Sequence, residues 1–286
     1  MVRRSTAECS SIHRKRVPKR HGVRWIGRQP RRARRCCRHS NNTSVAEAIL
    51  RASGNSLAAV LVDVMPNRAG LVPAKPEYSA MLRRVTRELG ALLILDEVIT
   101  FRLGYNGAWR FDIDPDLTTL GKIIGGRFAI GAIGGRAEVM SVFDPSKGQP
   151  AVPHGGTFSA NPMSMSAGIA ALEELTPPVF EKLKALGDRF DQGIRACFTR
   201  HGITGQVTGL GSLRRVHLTD APLSDYRSTF AAADGATRVS ALAKALFDEG
   251  VIIAGNGLMA FSTAMEDADI DEVVRAFDRA LLPLAS

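Results

Sequence analysis

Three residues are of types, and in settings, suited to covalent chemistry on a bound ring: Asp96, Lys122 and Thr157. Asp96 ends the apolar run LLILD, where an ionised carboxylate is costly unless a cationic group shares the site. Lys122 lies in TTLGKIIGG, an apolar and glycine-rich setting in which desolvation favours a neutral, nucleophilic amine and hence a Schiff base. A carboxylate facing a pyridinium nitrogen and a lysine able to form an imine are the two protein groups that pyridoxal chemistry requires. Thr157, in GGTFSANP, offers a hydroxyl and neighbouring backbone N–H groups ahead of a helix, a setting for a phosphate. Residue types alone leave plainer roles open. On residue types alone these plainer roles are the favoured ones: Asp96 capping a turn or pairing with an arginine, Lys122 as a surface or structural lysine, and a simple helix-entry loop at Thr157.

Rival motifs are easier to exclude. Gly121-Lys122 is no P-loop, because position 116 is Asp rather than Gly and Ile123 stands where Ser or Thr is required. The glycines at 125, 126, 131, 134 and 135 do not make the dinucleotide fingerprint and suit turns and close backbone packing instead. His13, His21, His39, His201 and His217 have no metal-ligand spacing.

The elements that must position these groups follow from periodicity. A short helix is expected over 45–52, and the apolar run LAAVLVD, 57–63, reads as a buried parallel strand ending on Asp63. Met81, Leu82, Val85 and Leu89 are at helical spacing within 77–89, and Gly90 marks the stop. With a second strand at 91–95, this is a βαβ unit, whose functional groups collect at the carboxyl ends of its strands. Asp63 and Asp96 both sit there. A further strand is expected at 129–135, a helix at 136–143, and a helix at 163–175 after the loop 154–162. Pro177 and Pro178 interrupt the helical pattern and mark a boundary between domains. Beyond them, helices at 179–200, 236–248 and 268–282 and strands within 205–218, at 251–253 and near 258–262 suggest a smaller α/β layer.

Composition is that of a globular protein, 45% hydrophobic and 23% charged, but its net charge of +10 is unevenly placed. Residues 1–39 carry 14 Lys or Arg against the single acid Glu8, whereas the rest carries 24 basic and 27 acidic residues. The first segment also holds Cys9, Cys36 and Cys37, leaving Cys197 alone in the body, so no disulfide framework is expected and a cytoplasmic setting fits. Neither a membrane span nor a secretory signal is legible. The segment shows no period and its charges repel, so it reads as disordered. A nucleic-acid arm and a transit peptide are two readings of it; a non-native segment joined upstream of the body near Ser40 is the favoured one.

LLILDEVIT, TTLGKIIGG, AIGAIGGRAEVM and HGGTFSANPMSMSAG, in this order, closely resemble glutamate-1-semialdehyde aminomutase and its class III aminotransferase relatives, over roughly 41–286. The resemblance implies an α/β fold of the type I pyridoxal-phosphate transferase kind. It would comprise a large, mostly parallel-sheet cofactor domain, partial here, at 41–177 and a small C-terminal domain at 178–286. It further implies that Asp96 pairs with the pyridine nitrogen, Val98 packs on the ring face, Lys122 forms the Schiff base with pyridoxal 5'-phosphate, and Thr157 reaches the phosphate, usually of the neighbouring subunit. The expected partners are a small amino-acid or amino-aldehyde substrate and a second copy in a homodimer, with neither membrane nor nucleic acid. The implied reaction is amino-group transfer, either conversion of glutamate 1-semialdehyde to 5-aminolevulinate or transamination. An inactive remnant or a basic-armed binding protein is the alternative. Two departures stand out: no Ser-Gly-Thr phosphate loop or ring-stacking aromatic is found within residues 1–40, and Asp63 replaces the usual Glu. On that basis the chain is expected to lack the family's N-terminal third and to expose apolar sheet surface.

Overall fold

A computed structural model describes residues 40–105, 107, 111–146, 148–231 and 233–284, so the expectations for the basic segment 1–39 lie outside the described residues. The chain divides into two units. The first runs to Val64 and includes Ala74–Phe101 and Asn106–Glu174; the second comprises Met65–Pro73, Arg102–Tyr105 and Leu175–Ser286.

The first unit contains α1 (Thr43–Ser53), β1 (Ala59–Val62), α2 (Pro76–Glu88), β2 (Leu92–Asp96), β3 (Leu117–Gly121), β4 (Gly131–Gly135), α3 (Ala137–Met140) and α4 (Pro162–Glu173). Its sheet has the order β1-β2-β3-β4. β1, β2 and β3 are parallel, with Val62 opposite Leu95 and Asp96 opposite Thr119, and β4 returns antiparallel. Pro76 begins α2, where a missing N–H costs nothing, and Met81, Leu82 and Val85 of that helix are buried with Leu93 and Leu95 in one core. Directly before β3 lies a buried carboxylate, Asp116. It accepts the Leu93 N–H at 2.7 Å and pairs with Arg83 at 3.1 Å and Arg136 at 3.2 Å. These bonds splice the amino-terminal ends of β2 and β3 to the carboxyl end of β4. The helix expected at 136–143 forms only over Ala137–Met140 and tightens into a 3₁₀ turn over Ser141–Phe143. Phe128, Ile133, Met163, Met165 and Ile169 stand exposed around β4 and α4.

The second unit contains α5 (Pro177–Arg200), β5 (Gln206–Thr208), β6 (Leu213–His217), α6 (Tyr226–Ala231), α7 (Ala233–Asp248), β7 (Leu258–Ala260) and α8 (Asp267–Leu281). β5, β6 and β7 form an antiparallel sheet in that order. Phe190 of α5 centres the core, its ring 5.4 Å from Phe261 and 5.5 Å from Phe277. Pro177 does not interrupt a helix; it opens α5. The strand expected at 251–253 does not form among the described residues. The Val251 N–H closes the turn after α7 on Leu246 O, the Ala254 N–H is taken by Leu258 O, and Ile252 is left 81% exposed. Arg214, 2% exposed, is buried between β6 and α5, where Asp191 at 2.8 Å and Asp188 at 3.2 Å neutralise it. Gly187 makes room for it, since a Cβ there would lie 2.6 Å from the guanidinium.

Candidate active site

Asp96, Val98 and Lys122 come together because β2 and β3 are parallel neighbours. Asp96 is the last residue of β2, and Lys122 is the first residue after β3. Both stand at the carboxyl edge, where open α/β sheets place ligands, and Asp63 follows the end of β1 on the same edge.

The chain turns sharply after Asp96. Glu97 N–H still pairs with Thr119 O at 2.9 Å, and Asp96 Oδ1 accepts the Val98 N–H at 3.0 Å and faces the Thr119 hydroxyl at 3.5 Å. Asp96 thus caps its own turn with one oxygen. No arginine pairs with it, and Oδ2 has no partner among the described residues. The Val98 side chain lies over Gly121, since a Cβ there would be 3.5 Å from Val98 Cγ1, so the apolar side chain sits beside the residue preceding Lys122.

Lys122 itself departs from the expectation of a desolvated amine: its side chain is exposed and makes no hydrogen bond or ion pair among the described residues. Its backbone carries the unforeseen feature. Its φ is +53°, a left-handed conformation that L residues other than Asn and Asp rarely adopt and that costs on the order of 1–3 kcal/mol. Packing enforces it. Residues Lys122–Gly125 form a 3₁₀ turn pressed against α4, where a Cβ on Gly168 would lie 2.2 Å from Ile124 O and one on Gly126 would lie 2.2 Å from Ala167 O. Only hydrogen atoms fit at these two places. The Ser164 hydroxyl donates to Ala129 O at 2.9 Å, pinning the first turn of α4 beside the same segment.

Thr157 is not joined to the other three by any hydrogen bond. It is exposed on the loop ahead of α4, whose start is capped by Asn161 Oδ1 accepting the Met163 N–H at 2.9 Å and the Ser164 N–H at 3.4 Å. The sequence marks Gly126 for a turn or close backbone packing, as found, but carries no signal for Gly168, whose contact depends on how α4 docks.

The profile of the class III aminotransferases matches residues 11–281. The chain belongs to the class III aminotransferase family. The match begins at residue 11, inside the basic segment and thirty residues before residue 41, where the resemblance begins in the sequence. A β-phenylalanine transaminase from Variovorax paradoxus is 39% identical over 256 residues, covering 86% of this chain and 58% of its own. A glutamate-1-semialdehyde 2,1-aminomutase from Staphylococcus haemolyticus is 35% identical over 232 residues, covering 80% and 53%. The crystal structure of an omega-transaminase from Sphaerobacter thermophilus superposes with a TM-score of 0.83 at 43% identity, over 86% of this chain and 56% of that one. The chain thus spans a little over half the length of these class III relatives. The family is pyridoxal-phosphate dependent, and its α/β type I fold is the fold described here. Among the described residues, no helix is long and apolar enough to cross a membrane.

Proposed function

We propose that this chain carries the cofactor-holding half-site of a class III enzyme that moves amino groups between small molecules, with Lys122 as the covalent attachment point for pyridoxal phosphate. The observation that carries the reading is the exposed Lys122 amine on a strained left-handed backbone, one strand away from the Asp96 carboxylate; among the described residues neither that amine nor Asp96 Oδ2 has a partner. Strain held in place by packing belongs at sites where a side chain must be aimed.

These groups fit the cofactor. Asp96 Oδ2 would accept a hydrogen bond from a protonated ring nitrogen, and a carboxylate there keeps that proton in place. Val98 would offer apolar surface to one ring face. The Thr157 hydroxyl would donate to the phosphate. When bound, pyridoxal phosphate supplies the electron sink that lets a proton leave the substrate carbon bearing nitrogen. Lys122 Nζ would hold the aldehyde at rest and, once released, take that proton and return it to a neighbouring carbon, which requires a neutral amine with freedom to swing. Its exposure, and its lack of partners among the described residues, supply that freedom.

Transamination of an amino acid or amine is the favoured reaction, supported by the higher identity to the β-phenylalanine transaminase and the omega-transaminase. Conversion of glutamate 1-semialdehyde to 5-aminolevulinate is the second reading, supported by the 35% identity to an aminomutase. Amino-group release separates them: a transaminase converts an amine donor to a carbonyl product stoichiometrically with amination of an added keto acid, whereas a mutase isomerises its substrate with no second carbonyl compound. A large cofactor domain over 41–177, a small domain over 178–286, a homodimer and a cytoplasmic setting complete the proposal.

A further inference from the structure

Apart from the candidate site, the second unit contains a cluster of polar side chains that grips one loop. The excursion Met65–Pro73 leaves the first unit after Val64 and rejoins it at Ala74. Four side chains of the second unit hold its backbone carbonyls. Arg215 Nη1 donates to Asn67 O at 2.7 Å, and the Thr229 hydroxyl faces Ala69 O at 3.2 Å. The Thr208 hydroxyl faces Gly70 O at 2.5 Å, and His217 Nε2 lies 2.9 Å from the Thr208 hydroxyl and 3.2 Å from Gly70 O. Gly70 has φ +86°, and a Cβ there would lie 2.6 Å from Thr229 Oγ1 and 3.3 Å from His217 Cε1, so the two side chains close directly onto its backbone.

The tautomer follows from the acceptors. Gly70 O can only accept, so His217 carries its proton on Nε2, and Nδ1 has no protein partner among the described residues. We propose that neutral His217 is the pin of an acid-sensitive latch on the 65–73 loop, and that protonating its second nitrogen opens the latch. An imidazolium here would have a second N–H with no acceptor, in a residue 7% exposed, beside the Arg215 guanidinium. The charged groups on the surrounding elements are Arg215 on its own strand, Arg68 in the loop, and Asp225 and Arg227 at α6; of these, Arg215 is the one felt at the imidazole. Burial first, then Arg215, pulls the His217 pKa from 6.5 to about 4. Released into water, the side chain titrates near 6.5, so the open form binds the proton more tightly than the closed one. Opening therefore rises about tenfold per pH unit as pH falls from 6.5 to 4, roughly 300-fold in all, and is level on either side of that window.

The inference is independent of the proposed activity, and its test needs no cofactor. Amide hydrogen exchange of the full chain, corrected for the intrinsic pH dependence of exchange, is followed in the loop amides of Ala69, Gly70 and Leu71 and in core amides of α5. The loop amides should lose about 300-fold protection between pH 6.5 and 4, through an opening in which the core amides of α5 stay protected. In His217→Gln, whose neutral amide can still donate to Gly70 O, loop protection should be independent of pH. Wild-type protection that is flat across this window overturns the latch, even if the variant fails to fold, and so does a folded Gln variant that keeps the transition. Gly70→Ala should open the loop already at pH 7; unchanged protection there would show that His217 and Thr229 do not close on its backbone.

Discussion

Lys122→Gly should make the apo chain more stable than Lys122→Ala does, although both remove the amine. At φ +53° an L residue carries a left-handed penalty of about 1–2 kcal/mol that glycine escapes. Glycine gives back about 0.5–1 kcal/mol through the greater freedom of its unfolded chain. The net difference is about 0.5–1 kcal/mol in favour of glycine, or roughly 1–4 °C in melting temperature for a chain of this size. Melts of the two variants without cofactor, monitored by circular dichroism, read the difference directly. Alanine has the smaller side chain of the natural kind and the better intrinsic propensity, so equal or greater stability of Lys122→Ala would mean that the backbone is not held left-handed. The argument that Lys122 is aimed at the expense of stability would then fail.

Other outcomes follow from the same packing. Gly168→Ala should displace the 122–125 turn, since its new methyl would lie 2.2 Å from Ile124 O, costing about 1–3 kcal/mol and reducing pyridoxal phosphate incorporation, both readable by melting and by bound-cofactor absorbance. Arg214→Ala strands the Asp191 carboxyl, whose pKa burial already raises, and should cost about 3 kcal/mol in denaturant unfolding, the low end for such pairs because Asp188 stays partly in water. The Cys197 thiol, raised by burial to about 11, should resist alkylation in folded protein at pH 8 and label fully once the chain is unfolded, as peptide mass spectrometry would record. His217 adds a pH term to stability. Its folded pKa lies below its unfolded one, so the contribution is complete above pH 6.5 and about 3 kcal/mol is lost as pH falls to 4, measurable as a fall in urea midpoint.

What the sequence made legible was where apolar patterning and special residues coincide. LLILD reads as an apolar strand that ends on Asp96, and Met81, Leu82 and Val85 read as one helix face; both are found. β3 is harder to see, because Thr118 and Thr119 give it no apolar run and its partners, Leu95 and Asp96 on one side and Gly134 on the other, are supplied by folding. GVII at 250–253 errs the other way. Its β-branched residues look like a strand, but β6 already has β5 and β7 beside it, and the backbone donors of Val251 and Ala254 are spent on turns. Asp96 and Lys122 could be named as candidates, yet their meeting depends on the register Asp96 to Thr119, and the strain at Lys122 depends on two glycines in α4 and the turn beneath it. Local sequence holds neither fact.

The proposed activity stands or falls on Lys122 as the residue to which pyridoxal phosphate attaches. The most direct measurement is to incubate the full chain with pyridoxal phosphate, reduce it with borohydride, and map the modified lysine by peptide mass spectrometry, with Lys122→Ala alongside. Stoichiometric labelling at Lys122 is expected, with the cofactor's absorbance band lost on reduction and absent in the variant. Labelling spread over surface lysines, or equal incorporation in Lys122→Ala, would contradict it.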